Sequence, residues 1–213
     1  ILIKINNHIS NMSTEPNLIN SNINPISLFE EWFEEAKKRE INDPNAMNLA
    51  TISDDGKPSS RIVLLKSYNE QGFVFYTNSN SKKGRAIESN SNVALNFHWK
   101  SLQKQIRIEG IVSIITNVEA DRYYDSRPLG SRIGAWASKQ SEELDDRSIL
   151  LDRVKEFEKK FENNNIKRPS HWNGYRVEPN LIEFWQDMPF RLHDRVEFKK
   201  VGAVDWVSKK LYP

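Results

Sequence analysis

The fold is decided by residues 46–67, AMNLATISDDGKPSSRIVLLKS, where two apolar runs flank a polar turn. Residues 46–53 and 59–67 carry the aliphatic and β-branched side chains typical of strands, and Asp54-Asp55-Gly56 between them is a turn signal. Residues 72–78 form a third run of this kind after another short break. The stretch therefore predicts an antiparallel meander, in which each strand pairs with the next.

Strand patterns also dominate the rest of the chain. They recur at residues 93–100 and 103–116, and near the C-terminus at residues 174–177, 181–185, 191–198 and 206–210. Helical patterns are fewer and lie at residues 81–88, 116–127 and 142–163. Many strands with few helices predict a mainly β protein of the α+β class, with peripheral helices around a small antiparallel β-barrel.

Two of these predicted helices have further sequence signals. One has signals for both of its ends, and the other has an apolar face. Thr116 and Glu119 form a capping box, and Pro128 disfavours continuation of the helix that begins there. An apolar stripe in residues 142–163 predicts a helix that covers the sheet. The stripe consists of Leu144, Ile149, Leu150, Val154, Phe157 and Phe161.

An amphipathic helix is expected to begin the ordered chain near Ser27. Its apolar residues recur at intervals of three and four: Leu28, Phe29, Trp32, Phe33 and Ala36. Residues 1–24 contain seven asparagines among scattered isoleucines and have no such period, so we expect a flexible arm there. Met12 is a candidate for the natural start. Residues 25–213 are expected to form one domain.

Composition excludes several classes of function. The formal net charge of +2 comes from 31 basic and 29 acidic residues, a balance unlike that of a dedicated nucleic-acid binder. There is no cysteine, hence no thiolate nucleophile or cysteine metal site. The four histidines, His8, His98, His171 and His193, are too widely spaced to predict a metal site. No apolar run has the length of a bilayer span. We expect a cytoplasmic protein that binds neither membranes nor nucleic acids.

Two segments are candidates for binding an anion. None of the glycines forms a nucleotide-binding loop, so side chains would have to hold a phosphate. Residues 81–85, SKKGR, begin a predicted helix, where three cations oppose the macrodipole and an anion would relieve the conflict. Tyr123 and Arg127 are four residues apart on one helical face, and Ser131 is four further on. An exposed basic turn and an ordinary helix surface explain the same two patterns.

Residues 191–195, RLHDR, place two guanidiniums beside an imidazole. On an extended strand the side chains of Arg191, His193 and Arg195 share one face. Two fixed cations next to a group that titrates near neutral pH suit the binding and chemical conversion of a small anion. A charged edge strand that resists aggregation is the alternative.

Other candidate residues are less specific. Arg61 and Lys66 bracket residues 62–65, which are apolar enough for the core, but their odd spacing puts them on opposite faces of a strand. Gln140 and Ser141 offer neutral hydrogen-bonding groups. Trp185 suits either a planar cofactor or the core.

The order of these segments is more specific than any one of them. It runs RIVLLK (61–66), FYTN (75–78), Gln105, SRP (126–128), IGAWASKQS (133–141), IEFW (182–185) and RLHDR (191–195). Over about residues 26–213 the set resembles the pyridoxine/pyridoxamine 5'-phosphate oxidase family. The resemblance implies a split β-barrel of Greek-key type that binds FMN at the interface of a homodimer. It also implies oxidation of pyridoxine or pyridoxamine 5'-phosphate to pyridoxal 5'-phosphate, with O2 reduced to hydrogen peroxide.

The same resemblance assigns roles to individual residues. The implied FMN contacts are Arg61, Ile62, Val63, Leu64, Leu65, Lys66, Tyr76, Thr77, Lys82, Lys83, Gln105, Gln140, Ser141, Trp185 and Arg195. The implied substrate contacts are Lys66, Tyr123, Arg127, Ser131, Arg191 and His193. Arg191 and His193 would lie by the pyridine ring as the catalytic candidates. His193 would either accept a proton or only donate a hydrogen bond, and spacing does not separate these roles.

Two departures from the family pattern bear on the site. Lys82 stands where many relatives have arginine, which replaces a bidentate contact with a single one. Residues 187–190, DMPF, contain less glycine than is common there. The alternatives are another flavin-binding split-barrel protein, such as a flavin reductase or a non-catalytic binder, and a nucleic-acid-binding barrel. The joint presence of both sets of implied contacts favours the oxidase.

Overall fold

Nine antiparallel strands form one curled sheet in a computed structural model that describes residues 18–162 and 165–213. The strands are β1 (Ala46–Ile52), β2 (Pro58–Leu64), β3 (Ser67–Asn69), β4 (Gly72–Asn78), β5 (Asn92–Trp99), β6 (Lys104–Ile114), β7 (Trp172–Gln186), β8 (Asp194–Val201) and β9 (Asp205–Lys210). The helices are α1 (Pro25–Arg39), α2 (Lys82–Ser89), α3 (Asn117–Asp125), α4 (Leu129–Ala137) and α5 (Arg147–Phe161). Short 3-10 turns span Lys100–Leu102 and Pro189–Arg191. Within this described part, no helix is both long and apolar enough to cross a membrane.

The 15-residue strand β7 organises the sheet. It pairs with β6 along its length, with β4 through its first half and with β8 through its second half. From one edge the strands run β2-β1-β5-β6-β7-β4-β3, and β8 and β9 continue from the second half of β7. The backbone N–H of Lys66, just after β2, donates to Val74 O on β4 at 2.8 Å, so the curled sheet brings its two sides together. This topology confirms the predicted antiparallel barrel, but the predicted meander is wrong in its third strand, because β4 pairs with the short β3 and with β7 instead of with β2.

The inside of the sheet is filled by α1. The five residues of its predicted apolar stripe are all buried. Phe29 is fully buried, and its ring centroid lies 4.9 Å from that of Phe73 and 5.3 Å from that of Phe97. Asn24 caps the helix by accepting from Ile26 N at 2.7 Å. The amphipathic pattern at the start of the domain therefore supplies the central part of the core.

β7 corrects the prediction of two separate strands at 174–177 and 181–185. Pro179 was expected to break the chain, but it faces Gly110 at a bulge where the register between β6 and β7 shifts. A Cβ at Gly110 would lie 2.2 Å from Glu178 O, so only glycine allows this close approach. The bulge absorbs the proline and leaves the strand continuous.

The helices after β6 also differ from the prediction. The helix α4 was not predicted. Pro128 was expected to end the helical pattern, whereas a new helix begins one residue later. The predicted long helix begins at Arg147 and packs on α4 instead of covering the sheet. The ring centroid of Trp136 on α4 lies 5.8 Å from that of Phe157 and 5.5 Å from that of Phe161. Leu144 and Ile149, at the other end of the predicted stripe, are exposed.

The predicted arm of residues 1–24, including Met12, lies mostly outside the described residues. Its last part is packed against the domain, since Ile19 is buried and its N–H donates to Asp194 Oδ2 at 2.7 Å. Contacts with the barrel therefore begin several residues before α1.

Replacing Phe29 by alanine should lower the free energy of unfolding by about 3–5 kcal/mol, because it leaves a cavity in the centre of the core. Urea unfolding at fixed protein concentration measures this change. Ile41→Ala, at a residue that is 89% exposed, is the control and should change stability by no more than about 0.5 kcal/mol. Equal effects of the two substitutions would contradict this account of the core.

Candidate functional site

The guanidinium of Arg61 is fixed on β2 by neutral oxygen atoms. Nη1 donates to Leu49 O at 3.2 Å and to Thr51 Oγ1 at 2.7 Å, and Nη2 donates to Ser59 Oγ. Burial lowers the pKa of Arg61. These contacts orient the guanidinium without neutralising its charge.

The ammonium group of Lys83 is buried close to Arg61. Lys83 lies in the first turn of α2 and is 9% exposed. Its Nζ donates to Gln140 Oε1 at 2.8 Å and to Thr77 Oγ1 at 3.2 Å. Burial, and then the positive charge of Arg61, lower the pKa of Lys83. The sequence thus predicted correctly that residues 81–85 begin a helix with cations in its first turn.

Lys83 is buried and Arg61 is half-buried, and two cations close enough to affect each other in such a place are costly unless an anion joins them. Among the described residues, no carboxylate forms an ion pair with either Arg61 or Lys83. The N-terminal turn of α2 adds a positive dipole end to the same place. The arrangement is therefore suited to a phosphate group, and it would be unfavourable without one.

A stack of aromatic rings lies next to this cation pair. The ring centroid of Tyr76 lies 4.0 Å from that of Tyr123 and 5.0 Å from that of Trp172, with nearly parallel planes. The guanidinium carbon of Arg127 lies 4.7 Å from the centroid of the Trp172 ring. Burial raises the pKa of Tyr76 and lowers that of Arg127. The rings therefore hold a third cation, the half-buried Arg127, against a flat apolar surface.

A cavity of about 380 Å³ lies beside the stack and extends to the hydrogen-bond partners of Lys83. Thr77 and Gln140, which hold Lys83, line it together with Arg127 and Ser131. Nη1 of Arg127 is buried and makes no hydrogen bond within the described structure. A buried donor of this kind costs free energy unless a ligand accepts from it. We call these residues the Arg61 group: Arg61, Tyr76, Thr77, Lys83, Tyr123, Arg127, Ser131 and Gln140.

A second set of predicted site residues lies on the outer face of the sheet. Gln105, Trp185 and Arg195 face one another in register on β6, β7 and β8. Glu183, only 3% exposed, accepts from Arg195 Nε and from Arg107 Nη1, both at 2.8 Å. A buried carboxylate thus sets the direction of Arg195.

His193 joins this second set, although neither it nor Arg191 lies on β8. The predicted strand 191–198 begins only at Asp194, and Arg191 lies in a 3-10 turn with φ of 62°. The predicted common face of Arg191, His193 and Arg195 is therefore wrong, because the chain turns before it extends. The ring of His193 lies 4.6 Å from that of Trp185, centroid to centroid. We call Gln105, Trp185, His193 and Arg195 the Trp185 group.

The other predicted site residues are placed less specifically. Lys82 and Ser141 are exposed, and Lys66 is exposed just after β2. Within residues 62–65, Val63 and Leu65 are buried as predicted, whereas Ile62 is 63% exposed and does not belong to the core. Tyr123, Arg127 and Ser131 come together across the corner between α3 and α4, not on one helix.

Sequence reasoning missed Trp172, which carries the ring stack. An aromatic residue at the start of a strand resembles an ordinary core residue, and no spacing links Trp172 to Tyr76 or Arg127. Thr51 and Ser59 were also missed as partners of Arg61. Their alternation with Arg61 along paired strands was the available signal.

The Arg61 group and the Trp185 group are separate within one chain. Throughout residues 18–162 and 165–213, no hydrogen bond, ion pair or ring contact joins a member of one group to a member of the other. Sequence reasoning had assigned both groups to one pair of reactants. A single chain thus carries two separate groups of candidate site residues.

Comparison with family models gives two adjoining matches. Residues 33–161 match a model described as pyridoxamine 5'-phosphate oxidase. Residues 172–213 match one described as the C-terminal dimerisation region of pyridoxine 5'-phosphate oxidase. The second match contains Trp185, His193 and Arg195.

Curated relatives match over nearly their whole length. A pyridoxine/pyridoxamine 5'-phosphate oxidase of Sinorhizobium fredii is 53% identical over 190 residues, which cover 89% of this chain and 92% of the relative. One of Caulobacter vibrioides is 51% identical over 201 residues, which cover 94% of this chain and 90% of the relative.

Solved structures show the same fold. PhzG from Burkholderia lata, in complex with tetrahydrophenazine-1-carboxylic acid, has a TM-score of 0.84 and 32% identity, covering 91% of this chain and 94% of that one. An FMN-binding protein from Nostoc punctiforme, related to pyridoxamine 5'-phosphate oxidase, has a TM-score of 0.71 at 13% identity, covering 90% and 99%. The second likeness shows the fold alone.

Lys83→Met tests whether the cation pair is built for an anion. Without phosphate the variant should be at least as stable as the wild type, because a buried and unbalanced charge is removed. Inorganic phosphate at about 100 times its Kd should stabilise the wild type by about 2.7 kcal/mol and the variant far less. Thermal unfolding with and without phosphate, at constant ionic strength, measures both effects.

The pH dependence of stability gives a further test of the Lys83→Met variant. Because the pKa of Lys83 is lowered in the folded state, the unfolded chain binds this proton more tightly. The stability of the phosphate-free wild type should therefore rise as the pH increases from the folded pKa toward the ordinary lysine value, and the variant should lack this contribution. Lys159→Met, at an exposed lysine of α5, should behave as wild type. A variant with the full phosphate response would refute the assignment.

Proposed function

Since this chain belongs to the pyridoxamine 5'-phosphate oxidase family, we propose that the Arg61 group and the Trp185 group together form its FMN and substrate site. The chain is an FMN-dependent oxidase that converts pyridoxine 5'-phosphate and pyridoxamine 5'-phosphate to pyridoxal 5'-phosphate. It forms a homodimer through its C-terminal region. A cytoplasmic location stays a prediction.

The pair formed by the half-buried Arg61 and the buried Lys83 carries the assignment of the FMN phosphate. Both cations lack a carboxylate partner in the described structure, and each is held in place by neutral oxygen atoms. A phosphate dianion supplies the missing charge and accepts hydrogen bonds from both groups. Lys82, exposed at the start of the same helix, is placed to add a single contact at the rim. The residues present thus fit the cofactor.

Arg127 and Ser131 are the residues that we assign to the substrate phosphate, with Tyr123 and Lys66. The buried and unpaired Nη1 of Arg127 points to an anionic ligand in the same cavity as Thr77 and Gln140. A phosphate held there anchors the substrate at a distance from the carbon that reacts. Binding energy from the anchor can then position that carbon.

We assign the Trp185 group of each site to the partner subunit. Three of its four members lie within the matched dimerisation region, and the group makes no polar or ring contact with the Arg61 group of the same chain in the described residues. Pairing of two copies gives each Arg61 group a Trp185 group from the other copy. Dimerisation would then be a condition for activity.

When bound, FMN supplies the hydride acceptor, and we propose O2 as the final oxidant with hydrogen peroxide as the product. Arg191 stays protonated and therefore binds and orients the substrate without acting as a base. His193 has a ring nitrogen that can accept a proton from the hydroxyl or ammonium group of the substrate. The protein thus contributes orientation, charge and a proton acceptor.

Another flavin-dependent activity is not favoured. The curated relatives at about 50% identity share the oxidase name, whereas PhzG is 32% identical. The two phosphate sites side by side also suit a phosphorylated substrate next to a phosphorylated cofactor.

The purified protein should show flavin absorption and consume O2 with pyridoxine 5'-phosphate and pyridoxamine 5'-phosphate. Unphosphorylated pyridoxine should react poorly because it cannot use the Arg127 anchor. An oxygen electrode and a peroxide assay measure the reaction. A flavin-loaded sample without turnover of either phosphate would refute the proposed function.

A pair of variants separates the assigned roles in the same assay. Arg61→Ala should weaken FMN binding, measured by quenching of FMN fluorescence. Arg191→Ala should keep FMN binding and lose turnover. The reverse result would contradict the assignment of these two arginines.

A further inference from the structure

His193 has a carboxylate partner that neither the sequence analysis nor the proposed function uses. Its Nδ1 atom lies 2.9 Å from Asp187 Oδ1, and the histidine side chain is 11% exposed. Asp187 follows directly after β7, where its backbone N–H donates to Gln103 O at 2.9 Å. The carboxylate is therefore held on the rigid end of the sheet, next to the ring of a proposed catalytic residue.

The turn between the two residues brings them together. Phe190 and Arg191, with φ of 59° and 62°, both adopt the left-handed conformation in the 3-10 turn that precedes His193. Non-glycine residues adopt this conformation only where the surrounding structure holds them in it. The chain thus bends back so that His193, six residues after Asp187, faces it.

Two groups compete for the same ring nitrogen. The N–H of Met188 also points to His193 Nδ1, at 3.3 Å, and would need a lone pair there. The carboxylate needs a hydrogen on Nδ1 instead. The carboxylate oxygen lies closer, at 2.9 Å, where it would repel a lone pair on Nδ1 and attract a hydrogen there, whereas the neutral N–H of Met188 lies at 3.3 Å. The hydrogen therefore belongs on Nδ1, and the lone pair of the neutral ring is on Nε2.

We propose that Asp187 is a positioning residue, which fixes His193 in the Nδ1–H tautomer so that Nε2 faces the substrate as a proton acceptor. The proposal rests on the proposed function and assigns His193 the role of proton acceptor. Oxidation of the alcohol removes a hydride from C4', for which FMN is the acceptor, and the O–H proton, for which Nε2 is the acceptor. Without Asp187, the hydrogen moves to Nε2 in part of the molecules, and these cannot accept the proton.

The tautomer can be observed without any turnover. We suggest 15N NMR of protein labelled in its histidines, at a pH well above the ordinary histidine pKa of about 6.5. The His193 signals are assigned by their loss in His193→Gln. The proposal requires a protonated Nδ1 and an unprotonated Nε2 in the wild-type protein. A hydrogen on Nε2 would overturn it, and this measurement needs no Asp187 variant.

Asp187→Asn supplies the kinetic test. The amide can donate to Nδ1 and so favours the opposite tautomer. We expect kcat to fall about tenfold or more, since a positioned base contributes about 100-fold or more, while KM and FMN affinity change little. Asp187→Glu should recover part of the lost kcat. Asp205→Asn, at an exposed aspartate in β9, is the matched control and should keep wild-type kinetics.

The outcomes separate the two proposals. If the wild-type protein shows no turnover, the proposed function fails, whatever the tautomer. If the wild type is active and Asp187→Asn has the same kcat and the same 15N pattern, only the role of Asp187 is overturned.

Discussion

The electrostatics of this protein depend on two like charges that lie close together without a counter-charge in the described structure, the buried Lys83 and the half-buried Arg61. Each has a lowered pKa, and each is held by neutral oxygens that orient the cation but leave its charge in place. Such a pair does not by itself stabilise the folded state, because taking charges out of water costs free energy. A bound phosphate reverses the sign of this contribution. Cofactor binding and stability of the barrel are therefore linked.

The sheet holds the parts of the site through one strand. β7 pairs with β4, which carries Tyr76 and Thr77, and with β8, which carries Arg195. Its first residue, Trp172, supports Arg127, and Trp185 near its other end contacts His193. The two groups thus lie toward opposite ends of one strand, and no hydrogen bond, ion pair or ring contact joins them in the described part of the chain. A second copy is the natural way to bring one group of each kind together.

Local patterns predicted much of this structure. The stripe from Leu28 to Ala36 gave the buried helix, and the runs around Asp54-Asp55-Gly56 gave the first hairpin. Residues 81–85 indicated a cationic helix start.

Prediction failed where distant contacts decide the outcome. Pro179 breaks no strand, because Gly110 on the neighbouring strand makes room for it. The chain turns at Arg191 instead of extending. The separation of six residues between Asp187 and His193 fits no regular helix or strand period. The roles of individual residues came from the resemblance of ordered motifs, which spacing alone did not supply.

The central claim is that each site takes its Arg61 group from one subunit and its Trp185 group from the other. Co-expression of an Arg61→Ala chain with an Arg195→Ala chain, each with its own affinity tag, allows mixed dimers to be isolated. In a mixed dimer one site lacks both arginines and the other has both, so about half of the wild-type activity per dimer should return, although each parent is inactive. Mixed dimers as inactive as the two parents would show that each site is built within one chain, and would contradict the account.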